Sequence, residues 1–151
     1  MPVASDEAVE IATVHPQCGI LFVGVCGKDK RRIDALQSLG FRVDESEDLP
    51  MSELMAGYHA VIVRAPEVRQ LAMIGTRLRA RPHFGRRALL ALVADDPGSR
   101  ECRDATMCGF DHILSDSCTA RDIAAQILRL LRAYPEYRCL LRAPKGRRKA
   151  A

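Results

Sequence analysis

A guanidinium at the end of a buried strand can hold an anion or neutralise a carboxylate, but it cannot act as a nucleophile or a metal ligand. The chain places one, Arg64, directly after the unbroken apolar run Ala60-Val61-Ile62-Val63. That predicts a cationic rather than an acidic site. Lys28, Lys30, Arg31, Arg32 and Arg69 follow loops or open helices where several would meet one rim. A small anion or nucleotide could then sit on the first helix N-terminus beside Gly24 and Gly27. The plainer reading is that these bases face water and Arg64 pairs with a neighbouring acid. Acids are available at Asp29, Asp95 and Asp96, positions where aspartate ordinarily caps a helix or charges its first turn. Six cysteines show no C-x-x-C pairing, and the histidines at 15, 59, 83 and 112 are scattered, so neither a zinc site nor a disulfide framework is signalled. Cys26 and Cys118 have no histidine placed beside them as a base and are read as structural. With no Walker A loop and no G-x-G-x-x-G, no catalytic residue, cofactor or metal is assigned.

The elements that must position Arg64 alternate regularly. Tyr58 to Pro66 reads as the central strand of a parallel sheet, since its β-branched run is too short for a helix buried on every side. Gly19 to Val25 is the first strand, followed by a helix carrying Ile33, Leu36 and Leu39 and stopped by Gly40. Phe41 to Val43 is a short second strand, Asp44 to Asp48 an acidic loop, and Ser52 to Met55 a brief second helix. After the central strand Pro66 opens a helix with Val68, Leu71, Ile74 and Leu78 inward, closed by Pro82. Ala88 to Ala94 is a fourth strand, with a helix over Arg100 to Cys108 that Gly109 stops. His112 to Leu114 is a fifth strand, and Thr119-x-x-Asp122 resembles a capping box opening a helix to about Tyr134. Strand and helix alternating with no hairpin signal predict right-handed crossovers and an α/β fold: one doubly wound, five-stranded parallel sheet of flavodoxin-like order 2-1-3-4-5.

With 151 residues and 48% hydrophobic content the chain is expected to be a single domain with a sizeable core. The limits expected are an N-terminal arm over 1–17, which lacks periodicity, a folded unit over 18–134 and a basic tail over 135–151. No apolar run approaches the roughly 20 residues of a membrane span, and the opening residues carry acids, so a cytoplasmic location without membrane contact is expected. Arg142, Lys145, Arg147, Arg148 and Lys149 lie in the last ten residues with no acid among them, leaving 18 bases against 19 acids elsewhere. The last ten residues therefore outweigh a nearly neutral body and account for the chain's net charge of +4. The tail is a candidate for binding a nucleotide, nucleic acid or an acidic surface, or it is a solvated end.

From Ile20 to Ala133 the chain resembles a response-regulator receiver (CheY-like) domain. ILFV, LQSLGFRV, YHAVIV and GFDHIL carry the resemblance by their order and spacing. A working receiver implies an acidic pair after strand one to hold magnesium, a phosphoacceptor aspartate ending strand three, a hydroxyl residue ending strand four and a lysine ending strand five. Here those positions fall on Gly24, Val25 or Cys26, on Arg64, on Val93 and on Ser115, with Asp116 in place of the following proline. The aromatic switch position holds His112, expected to face a valine. The resemblance thus implies a degenerate pseudo-receiver, not an enzyme, in a two-component or related phosphorelay system.

Three functions remain open on these grounds. The first is a stand-alone, phosphorylation-independent interaction module that binds another signalling protein or itself as a homodimer. It would use the side formed by strand four and the last two helices, with His112, Arg121, Arg129 and Arg132 as interface candidates. The second is a cyclic dinucleotide or other polyanion binder using the tail. The third, a flavodoxin-like enzyme, has no nucleophile and base to support it.

Overall fold

A computed structural model describes residues 18–47, 57–65, 68–81, 87–93 and 98–134. Its element order is β1 (Gly19–Val23), α1 (Asp29–Ser38), β2 (Arg42–Ser46), β3 (Ala60–Ala65), α2 (Val68–Arg79), β4 (Ala88–Val93), α3 (Ser99–Met107), β5 (His112–Ser115) and α4 (Ala120–Arg132). All pairings are parallel, in the order β2-β1-β3-β4-β5. The flavodoxin-like doubly wound sheet expected from the sequence is the architecture found.

The three inner strands are apolar because both of their faces are covered. One core layer joins Ile20, Phe22, Ile62, Leu90 and Leu92 to Leu36 of α1 and Ile123, Ile127 and Leu131 of α4. The other joins Leu21, Val61, Val63, Leu89 and Ala91 to Leu71 and Leu78 of α2 and Ala105 of α3. Alternate residues of each strand feed opposite layers, which leaves no polar face on β1, β3 or β4. Helix α4 begins with the expected capping box: Thr119 accepts from the Asp122 amide at 3.2 Å and Asp122 accepts from the Thr119 amide at 2.8 Å.

Several boundaries differ from the sequence reading, among them the central strand, which begins at Ala60 and not at Tyr58. Strand β1 stops at Val23 instead of Val25, because Gly24 turns the chain with φ 78 while its amide donates to Ser46 O at 2.8 Å. A side chain at Gly24 would be strained by that φ and would meet the Arg64 carbonyl at 3.1 Å. Strand β2 runs on to Ser46, taking in Asp44 and Glu45 that were expected in a loop, since an edge strand five residues long can expose its acids while pairing with β1. Ser115 belongs to β5, opposite Val93. The expected second helix at 52–55, Pro66, Pro82, Asp95 and Asp96, the arm and the tail lie outside the described residues.

Candidate functional site

The carboxyl edge of the sheet gathers the ends of β1, β3 and β5, and Arg64 reaches across it. Its backbone belongs to β3, one residue before the strand ends, and runs close beside Gly24, where an added Cβ would lie 3.1 Å from the Arg64 carbonyl oxygen and 3.7 Å from its Cβ. Two acids meet its side chain. Arg64 Nε and Nη2 donate to Asp29 Oδ2 and Oδ1 at 2.7 and 2.5 Å, a bidentate fork, and Nη2 also donates to Asp116 Oδ1 at 2.7 Å.

A second guanidinium closes the arrangement into a ring. Arg32, one turn along α1, donates from Nη1 to Asp29 Oδ1 at 3.0 Å and to Asp116 Oδ1 at 3.3 Å. Its Nη2 bonds the Asp116 carbonyl and its Nε the Cys118 carbonyl, so α1 holds the loop leading into α4 through backbone as well as side chain. Lys28 Nζ approaches Asp116 Oδ2 at 3.6 Å from the solvent side. Two arginines alternate with two aspartates, so the ring balances its own charge.

Asp29 is completely buried, and that requires all of these partners. Its Oδ2 additionally takes the Cys26 amide at 3.0 Å, so the start of α1 is provided with a carboxylate of its own. Burial is the largest single influence on Asp29 and opposes ionisation, but the bonds from Arg64 and the Cys26 amide outweigh it and hold the carboxyl below its usual range. The Arg64 hydrogen bond likewise lowers Asp116 against its partial burial. Asp29 and Asp116 in turn hold the Arg64 guanidinium firmly protonated.

These facts correct the expected cationic pocket. Arg64 pairs with acids, as the plainer reading had it, and an anion at the α1 N-terminus would have to compete with the Asp29 carboxylate already there. Asp29 is more than a cap or first-turn charge. Nor do the residues fit magnesium: both carboxylates of the edge converge on a guanidinium nitrogen at 2.5 and 2.7 Å, so a divalent ion would have to displace Arg64. Lys30 leaves the rim for Glu45 at 2.6 Å, and the side chain of Arg69 lies outside the described residues.

The other positions singled out in the sequence are spread around this ring. Val25 and Cys26 lie in the loop between β1 and α1, Val93 is buried at the end of β4, and the Ser115 and Ser117 hydroxyls bond each other at 2.6 Å. His112 sits opposite Leu90 rather than a valine, whereas Val93 is opposite Ser115. Burial, with Arg129 nearby, lowers the His112 pKa from its usual value. Burial also raises the Cys118 thiol, so no activation by the α4 N-terminus prevails. Arg121, Arg129 and Arg132 are exposed on α4. Sequence reasoning noted Asp116 only as a missing proline and did not join Asp29, Arg32 and Asp116 to Arg64.

Comparisons with solved structures identify the architecture. A response regulator from Desulfuromonas acetoxidans is 17% identical with a TM-score of 0.58, the match covering 78% of this chain and 98% of that one. An orphan response regulator of H. pylori is 18% identical with a TM-score of 0.56, covering 77% and 98%. A CheY-like protein from Pseudomonas aeruginosa PAO1 is 15% identical with a TM-score of 0.55, covering 75% and 92%. No known family model matches the chain, and no curated protein matches it. The fold is that of CheY-like response-regulator receiver domains. Among the described residues no helix is long and apolar enough to cross a membrane.

Proposed function

We propose that this chain is a pseudo-receiver that works in signal transduction without phosphorylation, as a protein-interaction module. The observation that carries the reading is the closed ring of Arg64, Asp29, Arg32 and Asp116. Phosphoryl transfer to a receiver needs a carboxylate nucleophile and a divalent cation to offset the phosphoryl charge. The ring fills that place with a guanidinium whose hydrogen bonds are already made. It also ties β3 to α1 and to the loop before α4. A scaffold so tied offers its partner one conformation, and the exposed arginines of α4 with His112 of β5 are the surface through which it acts. The same surface could serve a second copy.

Treatment with acetyl phosphate and magnesium, followed by intact-mass spectrometry, tests the inertness. No labile adduct of about 80 Da is expected on the wild-type chain. Arg64→Asp alone is expected to remain inert, because Arg32 still engages both Asp29 and Asp116 and no lysine ends β5. A labile adduct on the wild-type chain would overturn the reading.

A further inference from the structure

The two edges of the sheet are protected differently. Strand β2 carries Arg42, Asp44 and Glu45 along its edge, and Lys30 of α1 reaches Glu45. Strand β5, His-Ile-Leu-Ser, carries no Lys, Arg, Asp or Glu. The direction of its hydrogen-bonding groups follows from the ladder. The Ala88 amide donates to His59 O, so residues 88, 90 and 92 of β4 turn toward β3 and residues 89, 91 and 93 toward β5. Strands of a parallel sheet repeat one another by translation, so residues that share a face share a direction. Leu114 lies in the layer of Leu90 and Leu92 and turns toward β4, whereas Ile113 lies in the layer of Leu89 and Ala91 and turns away from it. The Ile113 amide and carbonyl and the Ser115 amide therefore point out of the sheet, with no partner among the described residues. The Ser115 carbonyl is taken by the Cys118 amide.

An extended segment laid along this edge makes three main-chain hydrogen bonds in either direction. Running antiparallel, one of its residues exchanges both bonds with Ile113, and the residue two before it accepts from Ser115. Running parallel, two of its residues bracket Ile113, and the later one also accepts from Ser115. Beside the edge runs a groove of about 490 Å³, lined by Ile113, Leu114, Ser115, Cys118, Asp122 and Gln126. Every second side chain of an added strand turns to that side. Gln126 Oε1 is buried without a hydrogen-bond partner among the described residues, and a donor from the segment would satisfy it.

Charge decides which kind of segment fits. Helix α4 exposes Arg121, Arg129 and Arg132 against one exposed acid, Asp122, whose carboxylate already accepts from the Thr119 amide. Arg129 stands three residues beyond Gln126 on the same helix and close enough to His112 to act on its charge, so it marks the end of the groove where β5 begins. It is in no ion pair among the described residues. Asp122 lines the opposite end. A second copy would bring the same excess of positive charge against this side, whereas an acidic segment neutralises it. The fit is to a strand with an apolar side chain in the groove and, two positions away on the same face, a carboxylate at Arg129.

We infer that the free edge of β5 takes up an acidic, extended segment of a partner protein as a sixth strand, its apolar side chain in the groove and its carboxylate on Arg129. The inference rests on the interaction-module reading and names the form of the partner: main-chain bonds give the affinity, and alternate side chains give the choice. Three such bonds and one exposed ion pair make a weak, exchangeable contact.

Two capped peptides, Thr-Thr-Val-Thr-Glu-Thr and its reverse Thr-Glu-Thr-Val-Thr-Thr, carry the pattern in both directions and serve as probes on the full chain. Amide hydrogen exchange is followed residue by residue. With about nine-tenths of the chain bound, the Ile113 and Ser115 amides are expected to exchange about tenfold more slowly, since only the free form opens them to water. The Leu114 amide, already turned to β4, should not change. Putting Lys for Glu in the peptide, or Arg129→Glu in the chain, should each weaken binding by at least about threefold, and the two together should restore it. Unchanged exchange at Ile113 and Ser115 with both peptides would overturn the inference, as would a charge swap that restores nothing. Amides already slow before any peptide is added, or slowed by protein concentration alone, would overturn it too, because the edge would then be occupied by the chain itself or by a second copy. All of this is read at β5, whereas the reading it rests on is decided by the acetyl phosphate adduct, so the two fail separately.

Discussion

Arg64 and Asp29 are coupled tightly enough that each depends on the other. Arg64→Met leaves a fully buried carboxylate without its bidentate partner, and breaking a buried pair from one side costs about 3–5 kcal/mol. Replacing both, with Arg64→Met and Asp29→Leu together, removes the uncompensated charge and is expected to recover most of that loss. Urea unfolding of the two single variants and the double variant closes the cycle, and additive losses would show that the pair is not coupled. The same pair sets a pH dependence. Asp29 and Asp116 are both held below their usual range in the folded protein, so the unfolded chain takes up protons first as the pH falls. Their stabilisation is complete above the unfolded carboxyl value of about 3.9 and is lost as the pH drops through that value toward the folded ones. The urea midpoint should therefore fall steeply below about pH 4 in the wild type and less steeply in the double variant. Arg64 was legible as the residue of interest because a charge directly after an apolar strand has few places to go. Its partners were not, since Asp29 and Asp116 lie 35 and 52 residues away and only the crossovers bring them together.

The elements themselves were legible where a covering layer imposed a pattern. Inner strands buried on both faces read as continuous apolar runs, α4 announced its start through Thr119 and Asp122, and the alternation of strand and helix implied the strand order. The edge elements were read less well: β2 was cut short because its acids, Asp44 and Glu45, look like a loop until one knows that one side of that strand faces water. Helix α4 carries the element-scale prediction. Ile123, Ile127, Leu128 and Leu131 are buried, so the inward face is committed to the sheet, and Arg129 and Arg132 stand in its exposed last turn. Reversing both to glutamate should abolish partner capture or self-association without changing the core. It also places acids at the negative end of the helix, a cost of no more than about 1 kcal/mol for each exposed charge. Sedimentation or pull-down beside a melting curve separates the effects. Association that survives the reversal would move the partner surface elsewhere.

At the scale of the whole molecule the charge divides between a balanced body and a basic end. Residues 142–151 supply five bases and no acid, and the described sheet and helices are complete by Tyr134. If Arg142, Lys145, Arg147, Arg148 and Lys149 bind a nucleotide or nucleic acid, deleting residues 142–151 removes that affinity and leaves the melting temperature of the body unchanged. The salt dependence then identifies the kind of contact. Neutralising about five phosphates on a single strand releases their counterions and gives a log affinity that falls against log salt with a slope near −3.5. A cyclic dinucleotide carries only two phosphates, and a specific site for it must add stacked or bidentate arginine contacts, so its affinity should fall by a smaller power of salt. Calorimetry with cyclic di-GMP and with a random oligonucleotide, at low and high salt, tells these apart on the full chain and on the deletion. If neither ligand binds the full chain, the tail is left as a charged end, and the proposed interaction surface on β5 and α4 is the reading that stands.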